Sequence, residues 1–166
     1  MTPSSILHRC GLSALLGAAA LTAQAQNTTW NNTGANWSSA GSWSTGGPDT
    51  NVEKAIFTAS GSPSNPNVDG TFTIQGITFS NSLTTAYTFG GTGTLIIDAN
   101  SASTTNTIQV NGNQTFNVNL TTTNSLGGAQ RFVIGTGSGT MNFGAGFTFT
   151  VGTGGVTLQQ SGAGTG

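Results

Sequence analysis

The chain has 166 residues, of which only 4% are charged, and its formal net charge is −1. Ordinary soluble domains carry about 25% charged residues, and this composition excludes a nucleic-acid-binding protein, a coiled coil and an acidic tail. More than half of the residues are Gly, Ser, Thr or Asn, so the sequence informs us about location and architecture rather than about a catalytic centre.

Residues 1–25 form a predicted secretory signal peptide. A basic residue precedes an apolar run over 12–21, and Ala23-Gln24-Ala25 is a small-x-small cleavage site. We expect cleavage after Ala25 and a secreted or outer-surface location. The apolar run is shorter than the roughly 20 residues that a membrane span needs, so no span is expected in the mature chain.

The only histidine, His8, and the only cysteine, Cys10, both lie in this leader. The mature chain would therefore form no disulfide, no Cys/His metal site and no Ser-His-Asp triad. We accordingly expect no metal, no cofactor and no enzymatic activity.

Residues 26–70 form a predicted N-terminal cap with loops, and they contain all three tryptophans. Trp30, Trp37 and Trp43 have two interpretations. They would cover the open end of a β body, which proteins must protect, or their rings would stack on sugars as a carbohydrate-binding platform. We favour the first interpretation and keep the second as the candidate binding site.

Residues 71–166 form the predicted β body, since helical periodicity is absent and alternation of apolar and polar residues recurs. The clearest predicted strand covers 114–120, with Phe116, Val118 and Leu120 on one face. At Gly76 the apolar positions change parity, which indicates a bulge or corner.

The predicted strands recur every 8–12 residues or so between turns, a spacing typical of a sandwich, barrel or solenoid. Outward Thr and Asn, together with Gly-rich corners at 90–93 and 135–139, favour a solenoid. Its length suggests about five to six turns of roughly 20 residues. A β-sandwich or jelly roll remains the alternative.

The four carboxylates are Asp49, Glu53, Asp69 and Asp98. A glycoside hydrolase needs two of them about 5–10 Å apart, and a polysaccharide-processing β-helix would place Asp98 opposite Arg131 across two turns. The favoured interpretation is that these residues form turns or solubilise loops.

Regular outward Thr arrays on flat β-solenoids bind ice, and Thr-x-Thr occurs at 71–73 and at 148–150. Two copies with Phe between the threonines do not predict an array.

A series of segments carries a resemblance to a known family. In chain order they are Gly34-Ala35-Asn36-Trp37-Ser38, Gly41-Ser42-Trp43, Asp49, Ala55-Ile56-Phe57, Val68-Asp69-Gly70, Ile74-Gln75-Gly76-Ile77-Thr78-Phe79, Gly91-Thr92-Gly93-Thr94-Leu95-Ile96-Ile97 and Gly127-Gly128-Ala129-Gln130-Arg131-Phe132. In this order they resemble the N-terminal portion of bacterial surface proteins with autotransporter-associated β-strand repeats, which often end in a PEP-CTERM sorting tail. Residues 161–166 resemble the start of a further repeat, so we expect the β body to be truncated at its C-terminus.

This resemblance implies an all-β, right-handed parallel β-helix with an N-terminal Trp-rich cap. It also implies a secreted or surface-displayed, adhesin-like protein without catalytic activity. The expected partners are extracellular polysaccharide or a neighbouring cell surface. A carbohydrate-binding module and a polysaccharide-processing β-helix are the alternative functions.

Overall fold

The structure is a computed structural model that describes residues 26–58, 64–80, 83, 86–100, 105–134, 140–145, 148–151 and 155–160. The predicted signal peptide, the glycine run at 135–139 and the segment 161–166 lie outside the described residues. A short 3-10 helix covers Ala40–Ser42. The strands, in chain order, are β1 (Asn27–Thr29), β2 (Lys54–Phe57), β3 (Thr71–Ile74), β4 (Gly76–Phe79), β5 (Thr88–Phe89), β6 (Thr94–Asp98), β7 (Thr105–Val110), β8 (Asn113–Phe116), β9 (Asn119–Thr123), β10 (Gln130–Ile134), β11 (Thr140–Phe143), β12 (Thr148–Val151) and β13 (Val156–Gln160).

The strands form three sheets. The first sheet has the order β1-β2-β4-β7-β10-β13, the second β3-β6-β9-β12 and the third β5-β8-β11. From β3 onward the chain visits the second, first and third sheets in turn, and every pairing between these strands is parallel. The result is a β-solenoid of about four turns. The predicted solenoid is confirmed, and the sandwich or jelly-roll alternative is wrong because those folds pair strands antiparallel.

The length of each turn follows from the register of the second sheet. Thr71, Thr94, Asn119 and Thr148 occupy the same position on successive strands, so successive turns are 23, 25 and 29 residues long. The sequence interpretation of five to six turns of about 20 residues was therefore too short per turn and too many in number, because it did not allow for the loops at the corners.

The predicted strand over 114–120 is two strands in different sheets. It divides at residues 117–118 into β8 of the third sheet and β9 of the second sheet. Phe116, Val118 and Leu120 are nevertheless all buried. Alternation continues around the corner because both sheets face the same core, so periodicity alone does not reveal the bend.

Two predicted corners are confirmed. Gln75 separates β3 of the second sheet from β4 of the first, next to the parity change at Gly76. Gly91, in the segment between β5 and β6, has a φ of +110°. Residues other than glycine rarely adopt this backbone conformation.

The core is a column of aromatic rings between the sheets. Phe57 stacks on Phe79 with ring centroids 5.1 Å apart, and Phe89 stacks on Phe116 at 4.7 Å. Phe116 in turn lies 6.5 Å from Phe143. Each turn therefore buries its inner face against the neighbouring turns, which is how a solenoid becomes stable.

The residues of the predicted cap begin the same solenoid. β1 and β2 pair in parallel with each other, and β2 pairs with β4, so the first sheet continues through the cap region. Asn67 bridges both Asn36 and Gly90, which joins the loops of the cap to the first full turn.

Candidate functional site

The three tryptophans lie together inside the cap. The exposed fractions of Trp30, Trp37 and Trp43 are 1%, 0% and 3%. Trp43 makes edge-to-face contacts with both others, at centroid distances of 4.9 Å to Trp30 and 4.7 Å to Trp37. Phe57 lies 6.0 Å from Trp43, so the trio starts the aromatic column of the core.

The indole N–H groups are also engaged. Trp30 donates to the carbonyl of Ser64 at 2.9 Å, and Trp37 donates to the carbonyl of Pro48 at 3.1 Å. Trp43 donates to the carbonyl of Trp37 at 2.8 Å. A sugar platform needs an exposed ring face, and these three rings offer none, so the geometry favours the capping role over the predicted carbohydrate site.

Asp98 is the one carboxylate that the fold buries, with an exposed fraction of 6%. It ends β6, and its Oδ2 accepts a hydrogen bond from Asn51 Nδ2 at 3.0 Å. Its Oδ1 accepts from the backbone N–H of Asn100 at 3.1 Å and from that of Ser125 at 3.0 Å, with the Ser125 hydroxyl at 3.3 Å. One carboxylate thus connects the loop before β2, its own turn and the next turn.

Two opposing effects act on the pKa of Asp98. Burial raises the pKa because it penalises the charged form, whereas the hydrogen bonds from Asn51, Ser125 and Asn100 lower it. The hydrogen bonds prevail, so the pKa lies below its ordinary value of 3.8. Asp98 is therefore an ionised structural acceptor at neutral pH and not a proton donor poised for catalysis.

Two of the remaining carboxylates also accept hydrogen bonds from loop groups. Glu53 Oε2 accepts from the backbone N–H groups of Asp49 and Thr50 at 2.9 and 3.1 Å. Asp69 accepts from the Ser38 hydroxyl at 2.6 Å and from its backbone N–H at 3.0 Å. The Ser38 hydroxyl is the main cause of a lowered Asp69 pKa. These contacts agree with the predicted turn-forming role.

The placement of Asp98 opposite Arg131 that the polysaccharide-processing alternative requires is not found among the contacts of Asp98. Asp98 ends a strand of the second sheet, whereas Arg131 lies on β10 of the first sheet, and the partners of Asp98 are Asn51, Asn100 and Ser125. Among the described residues no group of three or more His, Cys, Asp or Glu side chains could hold a metal ion.

A set of buried amides was missed by the sequence analysis. Gln114 is fully buried; its Oε1 accepts from the backbone N–H of Tyr87 at 2.8 Å and its Nε2 donates to the carbonyl of Asn111 at 2.8 Å. Asn111 Nδ2 donates to the carbonyl of Phe79 at 2.7 Å. The signal was present, because Gln114 shares parity with Phe116 and hence the apolar face. These amides satisfy backbone groups at corners where the sheets end.

Comparison of the chain with protein-family models, with curated proteins and with solved structures finds no match. Within the part of the chain that the structure describes, no helix is long and apolar enough to cross a membrane.

Proposed function

We propose that this chain is a secreted or surface-displayed bacterial structural protein, adhesin-like and without catalytic activity. The observation that carries the proposal is the chemistry of the outward strand positions. On the third sheet they are Thr88, Thr115 and Asn142 in one register column. Such hydroxyl and amide rows are neutral and repeat with every turn, which suits weak multivalent contact with polysaccharide.

The state of the carboxylates supports the same proposal. Glu53, Asp69 and Asp98 each accept hydrogen bonds from the chain's own loops. Groups used in this way hold turns together. The resemblance to surface proteins with autotransporter-associated β-strand repeats points in the same direction. The two alternatives, a carbohydrate-binding module and a polysaccharide-processing β-helix, would need exposed rings or a carboxylate pair.

The location is tested by export. We expect a bacterial host that expresses the full chain to release or display a product that starts at Gln26, because the signal peptide would be cleaved after Ala25. N-terminal sequencing of the exported product measures this. An intact N-terminus retained in the cytoplasm would contradict the proposal.

The binding role is tested by affinity electrophoresis of the exported protein in gels that contain bacterial extracellular polysaccharide. We expect retardation without any release of reducing sugar ends. Trp30→Phe keeps an aromatic ring in the core, so it should leave the retardation unchanged; a loss of binding in a folded Trp30→Phe protein would support the tryptophan platform instead. Absence of retardation, and of binding to whole cells, would overturn the adhesive role.

A further inference from the structure

The outward face of the second sheet carries two uncharged columns that each run across four described strands. Its two outward columns are Thr71, Thr94, Asn119, Thr148 and Thr73, Ile96, Thr121, Thr150, in register across the four parallel strands. We call these eight residues the threonine face. Six of the eight are threonine, and none is charged. The two Thr-x-Thr segments that are 77 positions apart in the sequence (71 and 148) thus belong to one four-stranded array.

The intervening residues point the other way. Leu95, Ile97 and Leu120 are buried in the core, and Phe72 packs against it. The Phe within the first Thr-x-Thr segment therefore faces inward and does not interrupt the face. Thr71, Asn119, Thr148 and Thr150 are exposed, and the remaining four members are partly exposed.

The hydroxyl groups of the threonine face are available to solvent. Within the described part of the chain, none of the six threonine hydroxyls is engaged in a hydrogen bond. Each hydroxyl can donate once and accept twice. The neighbouring inward Thr122, by contrast, donates to the carbonyl of Thr150 at 3.4 Å.

The geometry of the face is periodic in two directions. Neighbouring parallel strands lie about 4.8 Å apart, and alternate residues along a strand are about 6.6 Å apart. The repeat between strands is close to the shorter oxygen repeat on the prism face of hexagonal ice, and the columns give the face a second regular repeat along the strands. Seven of the eight residues are β-branched, so their χ1 angles are restricted, and the array is ordered before any ligand arrives.

We propose that the threonine face binds ice. Methyl groups along the columns order the water between them, and hydroxyl groups anchor that water by hydrogen bonds at positions close to the lattice. The absence of charge on the columns suits a neutral crystalline surface better than a charged macromolecule. This binding activity goes beyond the proposed adhesive role and does not depend on it.

The other sheets provide the contrast. The outward positions of the first sheet include Lys54, Ile56, Thr78 and Gln109, so they mix charge, aliphatic groups and amides. The third sheet has two shorter outward columns, Thr88-Thr115-Asn142 and Asn113-Thr140, in only three strands. Thr115, outward on the central strand β8, is therefore a matched control for Thr121, outward on β9.

The test measures thermal hysteresis and inhibition of ice recrystallisation with the purified, full-length exported protein. We expect the wild type to shape ice crystals and to slow recrystallisation. Thr121→Tyr should abolish both effects, because a bulky ring at the centre of the threonine face would prevent the face from contacting ice. Thr115→Tyr, on the third sheet, should retain both effects. Thr73→Tyr, on another strand of the same face, provides a second loss-of-function variant. Circular dichroism and thermal unfolding verify that each variant is folded.

Three outcomes would overturn the proposal. A wild type that neither shapes ice crystals nor inhibits recrystallisation would refute the proposal directly. Equal loss in Thr115→Tyr and Thr121→Tyr would place the activity elsewhere. Binding to insoluble crystalline cellulose that Thr121→Tyr blocks, without any effect on ice, would assign the face to a polysaccharide instead.

Discussion

At the scale of single residues, Asp98 has the strongest structural consequence. Its carboxylate accepts hydrogen bonds from Asn51, Asn100 and Ser125 and is nearly buried. Asp98→Asn would replace one acceptor oxygen with a donor that faces other donors. Since hydrogen bonds to a charged group contribute about 1.5–3 kcal/mol, we expect the free energy of unfolding at pH 7 to fall by about that amount in urea titrations. Asp49→Asn, at an exposed position, should change it little.

The same residue predicts a dependence on pH. The pKa of folded Asp98 lies below its ordinary value of 3.8, so folding favours the ionised form. The stabilisation from this group is fully present above the unfolded pKa and is lost as pH falls through the lower folded pKa. We expect the difference in unfolding free energy between the wild type and Asp98→Asn to shrink as pH falls below about 4. A difference that stays constant down to pH 2 or so would contradict this assignment.

At the scale of strands, the sequence predicted the inward faces better than the strand boundaries. Phe116, Val118 and Leu120 were correctly placed on one apolar face, but the corner at 117–118 was not foreseen. Registers between turns were equally hidden, because spacings of 23, 25 and 29 residues leave no fixed period in the sequence. The threonine face depends on the register of four strands, which these irregular spacings do not reveal in the sequence.

For the candidate sites, too, the sequence identified the residues but not their contacts. The choice between cap and platform for Trp30, Trp37 and Trp43 depended on burial, which residue type does not determine. The burial of Asp98 was missed because it depends on Asn51 and Ser125, which come from two different turns. Composition and alternation do not predict contacts between segments that are distant in the sequence, and the burial of these side chains depends on such contacts.

The aromatic positions of the third sheet allow a test at this scale. Phe89, Phe116 and Phe143 share one register column on β5, β8 and β11. Phe116 is fully buried, whereas Phe143 is 45% exposed. We expect Phe116→Ala to lower the free energy of unfolding by about 3–5 kcal/mol, and Phe143→Ala to lower it by clearly less. Equal losses in denaturant titrations would show that burial does not increase toward the middle of the column.

At the scale of the whole molecule, the burial of apolar side chains differs between the cap region and β12. The rings of the Trp trio in the cap region are buried. Phe149 and Val151 lie at inward positions of β12 but are 37% and 52% exposed. Exposed apolar side chains of this kind promote association between chains.

The exposed side chains of β12 predict self-association through this strand. We expect the average mass of the purified protein to rise with concentration in light scattering coupled to size-exclusion chromatography. Val151→Lys should lower that mass toward the monomer, because a charge in place of an exposed apolar side chain opposes apolar contact between chains. Leu126→Lys is the matched control: Leu126 is 57% exposed but lies in the loop after β9, so its replacement should leave association unchanged. A wild-type monomer at all concentrations would mean that the exposed side chains of β12 are not an association surface.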